Sequence, residues 1–256
     1  VNMQWRHVER DVVTYGAAIS ACEKGARWQE AVGMFKDMQA HRIARNRIIH
    51  NAAISACRRG AQWQEAVSVF WAMRQCCVEP DVVTYSAAIS ACERGARWFE
   101  ALRILRDMDL CIVEPCVISH NAAISACEKS AQWQHSLCLL LRMRHRRLEP
   151  DSISYAAAIS ACGQGVQWQE ALSMIREMRL RLLEPHITAH NAAISACEKG
   201  AHWEEALGTF WSMCLRDLEQ CVITYTAAIS ACEKGARWHE ALGMLSHMRV
   251  RRLSPN

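Results

Sequence analysis

The stretch that decides the fold is Ala17-Ala18-Ile19-Ser20-Ala21-Cys22, because the same six residues return at 52–57, 87–92, 122–127, 157–162, 192–197 and 227–232, each copy 35 residues after the last. A fixed period of this length marks a repeat architecture, in which a short unit buries its apolar faces only against its neighbours. Tryptophan keeps the same step from Trp28 to Trp238, and methionine from Met38 to Met248, with Met3 one period upstream. The units therefore run 12–46, 47–81, 82–116, 117–151, 152–186, 187–221 and 222–256, and residues 1–11 read as the tail of an earlier unit. On this reading the chain is a piece of a longer array, and any targeting segment is expected to lie outside it.

Each unit reads as two helices. Tyr15, Ala18, Ile19 and Cys22 fall at i, i+3, i+4 and i+7, one face of a first helix. Gly25, repeated as Gly60, Gly95, Gly165, Gly200 and Gly235, is expected to supply the left-handed residue that ends it, with Ser130 the exception. Trp28, Ala31, Val32, Phe35 and Met38 form the apolar stripe of a second helix, and its tryptophan is expected in the core. Glu-Pro pairs ending at Pro80, Pro115, Pro150 and Pro185 stop that helix, since proline cannot continue it. The fold class is all-α: an α-solenoid, a right-handed superhelix of stacked helix-turn-helix repeats.

Composition closes off several alternatives. With 51% hydrophobic and 22% charged residues the chain can bury a continuous core, which excludes disorder, collagen and coiled coil. No apolar run reaches the roughly 18 to 20 residues of a membrane-spanning helix, so no membrane role is expected. Of 14 cysteines, half occupy one position of the repeat. Stacked helices lie about 8 to 10 Å apart, beyond the reach of about 7 Å for a disulfide, so these thiols are expected to be buried, inert and in a reducing compartment. No CxxC pair occurs, and Cys76 with Cys77 cannot alone build a tetrahedral zinc site; neither metal nor cofactor is expected. His7, His41, His145 and His247 have no partner at catalytic spacing, and no catalytic residue is assigned.

The net charge of +4 is too small to define a partner, so placement matters. At 100° per residue, the face opposite the buried stripe carries Val13, Gly16, Ser20 and Lys24. Its serine is constant (Ser20, Ser55, Ser90, Ser125, Ser160, Ser195, Ser230), and is either part of a groove or a small residue at a helix contact. A cation follows one turn on: Lys24, Arg59, Arg94, Lys129, Lys199 and Lys234, with Gln164 in the remaining unit. Such a row suits a phosphodiester backbone. The other end carries Val13, Ile48, Val83, Ile118, Ile153, Thr188 and Ile223, apolar except for Thr188 and suited to flat nucleobases. Between them the residue varies: Gly16, Asn51, Ser86, Asn121, Ala156, Asn191 and Thr226. A second variable residue closes each unit: Asn46, Asp81, Cys116, Asp151, His186, Cys221 and Asn256. These two carry the donors and acceptors that distinguish base edges. Asp81 and Asp151 also stand where helix N-caps stand, and the two roles are compatible.

In Val82-Val83-Thr84-Tyr85, the Gly-Ala-Arg-Trp turn and Glu149-Pro150-Asp151, the sequence resembles the pentatricopeptide repeat family over its whole length. The 34-residue tetratricopeptide pattern fits poorly. The resemblance implies binding of single-stranded RNA in mitochondria or chloroplasts, one nucleotide per unit, with other RNA-processing proteins as further partners. It implies uracil for Asn51 with Asp81 and for Asn121 with Asp151, and adenine for Thr226 with Asn256. Asn191 with Cys221 leans to pyrimidine and Ser86 with Cys116 to purine; Gly16 with Asn46 and Ala156 with His186 match no pattern. The residues at the Val13 position would clamp bases, and those at the Lys24 position would contact phosphate. The competing expectation is a protein-binding scaffold without nucleic-acid contact. Units also alternate: His50, His120 and His190 in one set, Tyr15, Tyr85, Tyr155 and Tyr225 in the other.

Overall fold

The computed structural model describes residues 12–216, 218 and 220–251. The tail at 1–11 and the closing Asn256 lie outside them. Helices pair in chain order: α1 (Val12–Lys24) with α2 (Trp28–Ala40), α3 (Arg47–Arg59) with α4 (Trp63–Gln75), α5 (Val82–Arg94) with α6 (Trp98–Leu110), α7 (Val117–Lys129) with α8 (Trp133–His145), α9 (Ser152–Gln164) with α10 (Trp168–Leu180), α11 (Ile187–Lys199) with α12 (Trp203–Cys214) and α13 (Val222–Lys234) with α14 (Trp238–Val250). The chain forms two compact units, Val1–Ala126 and Cys127–Asn256. The fold is an all-α solenoid, and no described helix is long and apolar enough to cross a membrane.

In the first unit α1, α3 and α5 pack side by side, as α9, α11 and α13 do in the second. The repeated hexapeptide explains this layer. Ala53, Ala56, Ala88 and Ala91 are fully buried, and with only a methyl group each they let neighbouring backbones approach closely. Within each unit a second helix packs on its own first helix and on the first helix of the next hairpin, as α2 does on α1 and α3 and α10 on α9 and α11. Its stripe, for example Ala101, Ile104, Leu105 and Met108, is solvent-free.

Both helices of a hairpin end in the same way, and glycine is not the left-handed residue. Gly25 and its equivalents have negative φ; the positive φ falls one residue later, on Ala26, Ala61, Ala96, Ala131, Val166, Ala201 and Ala236 at 51° to 59°. Arg27 N donates to Cys22 O at 2.9 Å and Ala26 N to Glu23 O at 3.2 Å, the paired bonds of a Schellman ending. Second helices repeat it with Arg42, Cys77, Ile112, Arg147 and Leu182 in the left-handed position.

The glycine serves close approach instead. A Cβ at Gly60 would strike the Trp28 ring, and the same holds for Gly95 with Trp63, Gly165 with Trp133 and Gly235 with Trp203. Trp28, Trp63, Trp133 and Trp203 are therefore half-buried wedges between successive hairpins rather than core residues. Arg97 and Arg237 lie over the Trp63 and Trp203 rings at 4.2 and 4.4 Å. Neighbouring residues should then respond with opposite sign. Gly60→Ala is expected to destabilise by about 1–3 kcal/mol through overpacking. Ala61→Gly should stabilise by about 0.5–1 kcal/mol, with Val166→Gly at the upper end because its β-branch resists positive φ. Urea-unfolding midpoints read both; equal signs at Gly60 and Ala61 would contradict the geometry.

At the repeated position the cysteines are buried as expected, namely Cys57, Cys92, Cys127, Cys162, Cys197 and Cys232, with Cys22 half-buried. Burial pushes the thiols of Cys57, Cys92, Cys127, Cys162 and Cys197 up to about 12. All fourteen thiols are free, and Cys76, Cys77 and Cys138 are exposed.

The alternation of histidine and tyrosine has a local cause. Tyr85 Oη donates to Asp107 Oδ2 at 2.9 Å and Tyr155 Oη to Glu177 Oε1 at 3.0 Å, each reaching an acid 22 residues on. In histidine units that place holds Ala72, Arg142 or Ser212. The shorter ring turns back instead: His50 Nδ1 bonds Asn46 O at 2.9 Å and His190 Nδ1 bonds His186 O at 3.2 Å. Burial holds both imidazoles below the usual histidine range.

Candidate nucleic-acid interface

On each first helix the expected residues lie on the side away from the buried stripe. Val13, Ile48, Val83, Ile118, Ile153 and Ile223 are 62 to 73% exposed, and Thr188 is exposed with them. Exposed β-branched residues at the start of every first helix have no role in the stack itself, whose apolar demand falls on the opposite face. The variable residues Gly16, Asn51, Ser86, Asn121, Ala156 and Asn191 are half-buried, and Thr226 is exposed. The constant serines are half-buried below them, and Lys24, Arg59, Arg94, Lys129, Gln164, Lys199 and Lys234 are exposed at the helix ends.

The two variable sets meet. Asn51 Nδ2 stands 3.5 Å from Asp81 Oδ1, Ser86 Oγ 3.6 Å from Cys116 Sγ, and Asn191 Nδ2 3.7 Å from Cys221 Sγ. A residue late in one hairpin and one early in it thus form a single polar pair 30 residues apart in sequence. Gly16 and Ala156 offer no polar group to Asn46 or His186, which are exposed. The partner expected for Thr226, Asn256, lies outside the described residues.

The closing residue also starts the next helix. Asn46 Oδ1 accepts from Ile49 N at 3.0 Å, Asp81 Oδ1 from Thr84 N at 2.9 Å and Asp151 Oδ1 from Ser154 N at 2.8 Å. The two aspartates form full capping boxes. Arg47 Nε lies 3.3 Å from Asp81 Oδ2. Burial raises the Asp81 carboxyl, but hydrogen bonds from Thr84 and Asn51 and the charge of Arg47 outweigh it, so this group stays ionised at neutral pH. The Cys116 and Cys221 thiols follow the same logic: burial raises them, and donors from Ser119 and Ser86, or from Thr224 and Asn191, bring them below the ordinary cysteine range.

An acidic set accompanies the cations, unremarked in the helical-wheel reading. Arg59 Nη2 is 3.9 Å from Glu23 and Lys234 Nζ is 3.1 Å from Glu198, each acid coming from the preceding hairpin. Ser230 Oγ donates to the same Glu198 at 2.8 Å. Where Gly163 replaces the acid, Lys199 Nζ donates to the Gly163 carbonyl at 3.2 Å. The signal was present as the glutamate just before the cation in five units, Glu23, Glu93, Glu128, Glu198 and Glu233. These cations also favour helix C-termini. His186 and His190 stand at HxxxH spacing, but His190 is buried against the His186 carbonyl, and no group of three or more metal-ligating side chains occurs among the described residues.

A profile of the PPR repeat matches residues 13–43, 48–78, 83–111, 153–181 and 223–253, and one of the pentatricopeptide repeat domain matches 103–165. No curated protein matches the chain. Among solved structures, the pentatricopeptide repeat protein PPR10 from maize is similar at 25% identity and TM-score 0.70, covering 96% of this chain and 35% of that one. The chain thus spans about a third of that structure's length. PPR10 in complex with an 18-nt psaJ RNA element aligns at 17% identity and TM-score 0.56, covering 97% and 41%. The PPR domain of Arabidopsis thaliana protein-only RNase P 1 in complex with tRNA aligns at 11% identity and TM-score 0.62, covering 70% and 95%. The last two likenesses are likenesses of fold.

Proposed function

The chain belongs to the pentatricopeptide repeat family, and on that premise we propose that it binds single-stranded RNA selectively, one nucleotide per hairpin, without chemistry of its own. The observation that carries this is the meeting of Asn51 with Asp81, Ser86 with Cys116 and Asn191 with Cys221, beside exposed Ile48, Val83 and Thr188. Each such pair offers one base an edge to hydrogen-bond and a flank to lie against. The exposed cations supply phosphate contacts and displace their neighbouring carboxylates when they do so. Binding shields or guides a transcript by occupancy, in RNA processing, stabilisation, editing or translation; mitochondria and chloroplasts are the setting we propose, testable by fractionation.

A salt titration of binding to a random single-stranded RNA pool tests the reading. Six phosphate contacts give a slope of log affinity against log salt of roughly −4. A slope near zero, or no RNA retained, would instead favour the protein-binding scaffold.

A further inference from the structure

Beyond the two variable residues, a third side chain touches the same site. Thr84 Oγ1 stands 2.6 Å from Asn51 Oδ1 and 2.8 Å from Asp81 Oδ1, and accepts from Asp81 N at 3.3 Å. Thr224 Oγ1 stands 2.7 Å from Asn191 Oδ1 and 3.4 Å from Cys221 Sγ. Both threonines are the third residue of the following first helix, and both are fully buried. The contact persists whether the closing residue is an aspartate that caps its helix or a cysteine that does not.

The chain varies these positions together. Asn51, Asn121 and Asn191 are followed 33 residues later by Thr84, Ser154 and Thr224. The tyrosine-bearing units vary independently of that alternation: Ser86 precedes Ser119, whereas Gly16 precedes Ile49 and Ala156 precedes Ala189. A Cβ on Gly16 would lie 3.6 Å from Ile49 Cγ1, so that hairpin answers an apolar position with an apolar wall. In the sequence a hydroxyl-bearing residue follows 33 residues after each polar variable residue whose following unit is in the chain, and none follows the two apolar ones; the Thr84 and Thr224 hydroxyls reach the asparagine, whereas that of Ser119 donates to the Cys116 carbonyl at 2.8 Å.

We propose that the third residue of each first helix is a specificity-determining positioning residue for the hairpin before it: its hydroxyl fixes which way the variable amide faces and so which base edge that amide accepts. An asparagine amide free to turn by 180° exchanges donor for acceptor and reads two patterns equally. With the Thr84 hydroxyl proton on Asn51 Oδ1 and Asn51 Nδ2 turned to the Asp81 carboxylate, which only accepts, the turned-over amide would set oxygen against oxygen, and that freedom is removed. The inference rests on the RNA reading above.

The test is selection by the whole chain from a random single-stranded RNA pool. Thr84→Val keeps the shape and removes the hydroxyl. It should cut discrimination at the Asn51 register roughly tenfold, the size of one positioned hydrogen bond, while total RNA affinity changes little. Thr84→Ser should restore it. Thr224→Val should do the same at the Asn191 register, where no aspartate cap is lost. A gain-of-function arm avoids any folding defect: Ala156→Asn with His186→Asp should select uracil strongly only when Ala189→Thr is added. Unchanged preference in the valine variants, or equal preference with and without Ala189→Thr, would overturn the third-residue role. A parent chain without preference at any register would instead remove the RNA reading, and this inference with it.

Discussion

Asn51→Thr combined with Asp81→Asn is expected to move one position of the selected RNA from uracil to adenine while the neighbouring positions stay as they are. The structure favours this pair because little else depends on it. Asparagine caps a helix as well as aspartate does, so the bond from Thr84 N survives. The lost partner of Arg47 is a partly exposed ion pair at 3.3 Å, of a kind worth at most about 1 kcal/mol. The exchange replaces a carboxylate, which only accepts, by an amide that also donates, beside a hydroxyl able to do both. A correctly matched base edge is worth about 1–3 kcal/mol of discrimination, or roughly ten- to a hundredfold. Sequencing of RNA retained by parent and double variant measures it. The same motif from both would mean that the hairpins do not read bases singly.

The second large effect concerns the backbone of the bound strand. Lys24→Gln, Arg59→Gln and Arg94→Gln together remove the three cations of the first unit, all exposed at the ends of α1, α3 and α5. At about 1 kcal/mol per contact, the low end because Arg59 must leave Glu23, affinity should fall roughly a hundredfold. Three lost contacts should also bring the salt slope from roughly −4 to roughly −2. The base motif should survive, since phosphate contacts position and base contacts specify. Exposed side chains leave unfolding nearly unchanged. An unaltered slope in the triple variant would place the strand elsewhere.

How much of this was readable before the structure follows from which interactions are periodic. The repeat, both helices of each hairpin and the opposed faces of the first helix are set by apolar spacing, which a sequence displays directly. Val13, Ile48 and Val83 were placed on the exposed face by counting 100° per residue, and they lie there. Glycine misled because its two uses, positive φ and missing Cβ, look alike in a sequence. In the fold the two uses separate, and Ala61 takes the left-handed turn while Gly60 makes room for a ring. Tryptophan misled for a related reason: Trp28 lies on an apolar stripe, yet its partner is the following hairpin rather than its own core. The Thr84 contact with Asn51 spans 33 residues and two hairpins, so no local pattern announced it. Its trace, a hydroxyl that comes and goes with the residue one unit earlier, became legible once the contact was known.

The seating of Trp28, Trp63, Trp133 and Trp203 over the next hairpin's glycine also sets a rule for building chimeras from this chain. A transplanted hairpin brings its own ring but depends on its new downstream neighbour for the hollow that receives it. Gly60, Gly95, Gly165 and Gly235 leave that hollow open, whereas a bulky side chain at that place would collide with the incoming ring whatever base the hairpin was chosen to recognise. Designers assembling such modules by their recognition letters alone would therefore meet failures at the seams, and matching seams before letters should prevent them.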